Sequence, residues 1–99
     1  MPSTASIALS GMSTALTALG SAAHNIANAN TEGFRREQVR PRTLEGGGVA
    51  VDVGRAETAG PALERDVVGQ LAAKHALLAN LAVFRTADTM AGSLLSVRA

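Results

Sequence analysis

The chain has 99 residues, no cysteine, 46% apolar residues and a formal net charge of +1. That length holds one small domain, and the apolar content excludes a wholly disordered chain. The missing cysteine excludes disulfide staples, thiolate metal sites and cysteine nucleophiles, and the near-neutral charge balance leaves no strongly basic surface for nucleic acid.

The apolar residues are small. About 20 are alanine and only Phe34 and Phe84 are aromatic. Each buries little area, so a chain of this kind is expected to complete its core by associating with other subunits.

The first predicted element is a helix over residues 4–29. Leu9, Met12, Leu16, Leu19, Ala23 and Ile26 fall at intervals of 3, 4, 3, 4 and 3, the stripe of a helix packed along its length against another. Ser3 or Thr4 is placed to cap it. Gly11 and Gly20 each cost helicity, which points to close backbone approach. Gly11, Ala15, Ala18 and Ala22 form a second face of small residues. One face is expected to meet the partner helix of the same chain and the other a second chain. The opening Met1-Pro2-Ser3-Thr4-Ala5 lacks a basic region followed by an apolar stretch, so no cleaved signal peptide is expected.

Residues 30–61 lose the helical period. Asn28, Asn30, Thr31 and Gly33 supply the side chains and backbone freedom of a turn, and Phe34 is expected to fold back onto the helix end as an anchor. Pro41 and Gly46-Gly47-Gly48 read as breakers. Val49, Val51 and Val53 alternate as in a short strand, with Glu37–Arg40 as its partner in a β-hairpin. The glycines lack the strand, helix and Gly-Lys-Ser/Thr context of a phosphate loop. Arg35, Arg36, Arg40 and Arg42 are interspersed with Glu32, Glu37 and Glu45 and read as a solvated or interface turn.

A second, longer helix is predicted over residues 62–96, with Pro61 at its start. Leu77, Leu81, Phe84, Ala91 and Leu95 share one line, and Leu71, Leu78 and Ala82 widen it. The stripe is broader than one shorter helix can cover. Glu64 and Asp66 lie in the first turns, where the helix dipole favours negative charge. Asn80 and Asp88 interrupt the apolar lines. Asn80 is a candidate for setting register; Asp88 either faces solvent or pairs across a subunit contact. No run approaches the roughly 20 apolar residues that span a bilayer, so no membrane-spanning segment is expected. The fold expected is mainly α: an antiparallel helical pair or coiled coil with a short β-hairpin or irregular region between, in a single domain.

No catalytic constellation emerges. His24 and His75 are the only histidines, and neither joins a His-Glu-x-x-His pattern or a carboxylate cluster, so no metal or cofactor is expected. His24 sits where a helix C-terminus favours an imidazole, and His75 on a polar or interface face.

Leu9-Ser10-Gly11-Met12, then Ala22-Ala23-His24-Asn25-Ile26-Ala27-Asn28-Ala29-Asn30-Thr31-Glu32-Gly33-Phe34, resembles the N-terminal motif of the bacterial flagellar rod and hook proteins. Asn80, Phe84-Arg85-Thr86-Ala87-Asp88-Thr89-Met90 and Leu94-Leu95 are similar to the closing helix of that family. Leu77 stands where the family has an aromatic, and Asp66-Val67-Val68 where it has an acidic-apolar-Met segment. The resemblance implies a structural, non-enzymatic axial subunit whose terminal helices line a tubular drive shaft. It implies other rod subunits and the flagellar type III export apparatus as partners. It also implies residence in the periplasmic rod of the basal body after export without a cleaved signal. Asn25, Ile26, Asn28, Asn30, Thr31, Gly33 and Phe34 are then the assembly and turn motif. Leu9, Met12, Leu16, Leu19, Leu77, Leu81, Phe84 and Leu95 are the helix-packing residues. The short middle is most like a small proximal rod protein. A truncated atypical relative, or a non-catalytic helical adaptor or export-associated binding protein, is the alternative.

Overall fold

The computed structural model describes residues 3–98, without the side chains of Val97 and Arg98. Met1 and Pro2, part of the segment read above for a signal, lie outside the described residues. The order is α1 (Thr4–Ala27), β1 (Glu37–Thr43), β2 (Val49–Arg55) and α2 (Leu63–Arg98). Helix predominates, with one antiparallel hairpin between the two helices.

Helix α1 starts where Ser3 accepts a hydrogen bond from the Ser6 amide at 3.1 Å, which satisfies one of the otherwise orphaned first-turn donors. It ends at Asn28, whose side chain and backbone N–H both donate to the His24 carbonyl, at 2.9 and 3.1 Å. Asn28 keeps a negative φ of −103°; Gly33, at φ +74°, takes the left-handed position instead. In between, Thr31 donates to the Asn28 side chain and backbone at 3.2 and 3.0 Å. The Asn/Thr/Gly turn is thus built by side-chain capping first and a positive-φ glycine second.

Helix α2 runs antiparallel to α1. Asp66, near its start, bonds Asn25 near the end of α1. Asn80 lies against Gly11, and Ala87 and Met90 line a groove with Thr4 and Ala5. The line of α1 that faces α2 is the small one. Ala8, Ala15 and Ala22 are buried, Gly11 touches Asn80, and Asn25 bonds Asp66. A Cβ on Gly11 would stand 2.7 to 2.8 Å from the carboxamide atoms of Asn80, so that glycine answers a close approach. A Cβ on Gly20 would meet nothing within 4 Å beyond the backbone of its own helix.

Packing by alanine lets the helices come close and leaves the larger side chains half-buried or exposed. Among the described residues the buried apolar set is Ala8, Ala15, Ala22 and Ala73, and no large side chain is fully buried. At 36 residues α2 is about 54 Å long, and it continues past the start of α1. Toward that end of α2, Met90, Leu94 and Leu95 are 63%, 66% and 70% exposed. The span Leu63–Ser96 is long and apolar enough to cross a membrane by length and composition. Gln70, Lys74, His75 and Asn80 interrupt it, so it is not the continuous apolar run whose absence underlies the expectation of no membrane-spanning segment.

The hairpin pairs Glu37 with Arg55 through to Thr43 with Val49, longer than the Glu37–Arg40 and Val49–Val53 segments expected. Pro41 lies inside β1, opposite Val51. It does not break the strand because it occupies a position whose backbone points away from β2, where a missing N–H removes no ladder bond. Gly46, Gly47 and Gly48 all have positive φ and close the turn. The hairpin lies along α1, held near its tip by the Val49 amide donating to Ser10 Oγ at 3.1 Å.

Candidate functional site

A polar clasp forms where the end of α1, the start of β1 and the start of α2 meet. Asn25, only 3% exposed, is its centre. Its Oδ1 accepts from the Glu37 amide at 2.7 Å and its Nδ2 donates to the Glu37 carbonyl at 2.9 Å. The carboxamide thereby stands in for a neighbouring strand, satisfying both outward backbone groups of the first residue of β1. The same Nδ2 donates to Asp66 Oδ1 at 3.2 Å.

Asp66, 4% exposed, is the second anchor. Arg36 meets it through two nitrogens, Nε to Oδ2 at 3.0 Å and Nη2 to Oδ1. The hydrogen bond from Arg36 holds the Asp66 carboxyl below the usual carboxylate range. Burial opposes this, and the bond from Asn25 and the charges of Arg36 and Arg65 reinforce it. Ser21, also buried, donates to Glu37 Oε2 at 2.9 Å. Every buried side-chain nitrogen and oxygen among the described residues has a partner, so the network is fully satisfied.

An aromatic strap flanks the clasp. Phe34 packs edge-on against His24 with ring centres 5.3 Å apart. Arg55 lies 5.8 Å above the Phe34 ring and donates to the Arg35 carbonyl at 3.1 Å. His24 Nε2 stands 3.8 Å from Glu37 Oε1.

The motif residues read from sequence fall into distinct places. Asn25 builds the clasp, Asn28 and Thr31 build the turn, Gly33 supplies its positive φ, and Phe34 carries the strap. Ile26 is half-buried and Asn30 is exposed. Of the helix-packing set, Met12, Leu19, Leu77, Leu81 and Phe84 are half-buried, while Leu9, Leu16 and Leu95 are exposed. Asn80 is half-buried against Gly11, with its Nδ2 donating to the Ala76 carbonyl at 2.9 Å. Asp88 is exposed. Within the basic turn, read as solvated or interface-lining, Arg36 is half-buried as the ion-pair partner of Asp66, because the chain returns over α2 at that point. Asp66 likewise serves the clasp as well as the helix terminus. The signal that could have marked it is an acidic residue set among the apolar residues Leu63, Val67 and Val68.

The cavity beside the clasp, about 380 Å³, is lined by Ser21, Asn25, Arg36, Glu37, Arg65 and Asp66 among others. Ser21, Asn25, Arg36, Glu37 and Asp66 already bond one another, which suits structure rather than turnover. No group of three or more His, Cys, Asp or Glu among the described residues could hold a metal ion.

No curated protein matches the chain. Residues 6–35, which comprise nearly all of α1, the turn and Phe34, match the model of a family described as flagella basal body rod protein. That family is structural and non-catalytic, and over α1 and the turn, where Asn25 and Phe34 organise the fold, the chain is similar to it.

Proposed function

We propose that the protein is a structural subunit of the bacterial flagellar basal-body rod, assembling through its terminal helices into a tubular drive shaft. The observation that carries this reading is the match of residues 6–35 to the rod family. In the same segment Leu9 and Leu16 are exposed while the buried apolar residues are Ala8, Ala15 and Ala22. Apolar side chains at helical spacing on both helices, uncovered within one chain, suit burial by neighbouring subunits in a coiled-coil layer. Asn80 and Asp88 then set register between helices, and Leu9, Met12, Leu16, Leu19, Leu77, Leu81, Phe84 and Leu95 pack within or between chains.

The clasp fits this role mechanically. It fixes the angle between α1, β1 and α2 with directional bonds, so the apolar faces are offered in one geometry despite an alanine core. Other axial subunits and the type III export apparatus are the partners, and the periplasmic rod is the location.

The direct test is co-purification of a tagged chain with isolated basal bodies. Retention through washes that strip peripheral proteins is expected. A chain recovered only from cytosol or from the bilayer fraction would overturn the reading.

A further inference from the structure

Backbone groups in an antiparallel pair alternate between bonding the partner strand and pointing outward. Leu44 N donates to Gly48 O at one end of the hairpin, and Ala56 N donates to Arg36 O at the other. With the observed register, the even-numbered residues are the bonded ones. The odd-numbered residues present their N–H and C=O groups to the outside of the hairpin.

The two outer edges differ. On β1, both outward groups of Glu37 are taken by Asn25, and Pro41 in mid-strand has no N–H. That is how natural edge strands are blunted. On β2, Ser10 covers only the Val49 amide. Val51, Val53 and Arg55 keep both outward backbone groups without a hydrogen-bond partner among the described residues. Asp52, Val53, Gly54 and Arg55 are all exposed. This edge carries no proline, lysine or bulge, and it is a template for one more strand.

We propose that the outer edge of β2 docks the same edge of a second copy of this chain, antiparallel about a two-fold axis, to form a four-stranded sheet. Outward residues must face outward residues, which restricts the register. Placing Val51 opposite Val53 would set Asp52 against Asp52, a like-charge pair, and would draw in Val49, whose amide Ser10 already holds. Placing Val53 opposite Val53 uses all three free positions, with Val51 facing Arg55 and Asp52 facing Gly54. No like charges then oppose, and the half-exposed Val53 side chains cover each other. The edge is therefore complementary to itself, as an isologous contact requires. The contact stands independently of the rod reading.

Val53→Pro tests it, because Val53 makes no bond to β1 and proline there repeats on β2 what Pro41 does on β1. The expected result is a wild-type dimer by sedimentation, weakened about tenfold or more by Val53→Pro at unchanged helix content. The chain has no native cysteine, so a spin label on Val53→Cys is unique and should show strong dipolar coupling in the dimer. A label on Lys74→Cys should not. A wild-type monomer at every concentration, a dimer indifferent to Val53→Pro, or uncoupled labels at position 53 would each overturn the proposal.

Discussion

Asn25 on α1 and Asp66 on α2, 41 residues apart in sequence, are joined by a hydrogen bond of 3.2 Å at the point where both helices and the hairpin converge. One carboxamide thus ties three elements together. In a chain whose buried apolar residues are alanines, directional polar bonds carry an unusual share of what fixes the fold.

Asn25→Ala should therefore be costly. It leaves the Glu37 N–H and C=O without partners and removes one bond from Asp66, a loss of about 2–4 kcal/mol. Thermal unfolding followed by circular dichroism measures it. Stability within about 0.5 kcal/mol of wild type would show that water replaces the carboxamide and that the clasp is incidental.

The ion pair should show strong non-additivity. Arg36→Leu alone strands the Asp66 carboxylate and should cost about 3–5 kcal/mol, whereas Arg36→Leu with Asp66→Leu should recover most of that loss. Chemical denaturation of the two single variants and the double variant closes the cycle. Additive losses would contradict a coupled pair.

Acid should unfold the clasp from one identifiable side chain. The Asp66 pKa is lowered in the folded state, so its contribution is complete above the unfolded value near 3.9 and is lost as pH falls through the lower folded value. Stability from this group should be flat between about pH 5 and 8 and decline below about pH 4. Asp66→Asn, though less stable at neutral pH, should have a shallower acid limb in a circular-dichroism titration. An unchanged slope would place the acid sensitivity elsewhere.

Two glycines on one helix should respond oppositely to the same change. Gly20→Ala meets nothing within 4 Å and should stabilise α1 by about 0.5–1 kcal/mol through helix propensity. Gly11→Ala drives a Cβ into the Asn80 carboxamide and should destabilise by roughly 1–3 kcal/mol. Adding Asn80→Ala should reverse that loss. If Gly11→Ala proved as benign as Gly20→Ala, the close approach of the helices there would be wrong.

Much of the fold was legible in the sequence because its signals are local. A 3-4 spacing marks α1, alternating valines mark β2, and Asn28, Thr31 and Gly33 mark the turn. The clasp was not, because Arg36, Glu37 and Asp66 each have an ordinary local explanation and become a network only when distant segments meet. Which face of α1 meets α2 was also open. Larger side chains normally fill a helix contact, yet here Gly11 and the alanines allow the closer approach, and Leu9 and Leu16 remain outside. Pro41 misled in the other direction, since a proline breaks a strand only where its N–H would have bonded inward.

The measurement that tests the central claim most directly is mass and helicity of the purified chain across concentration, by light scattering and circular dichroism on the same samples. A chain built to complete its core in an assembly gains helix as its mass rises, a change that pairing of β2 edges alone does not produce. A fully helical monomer at every concentration would mean that the two alanine-faced helices satisfy each other, and would contradict assembly through the exposed apolar faces.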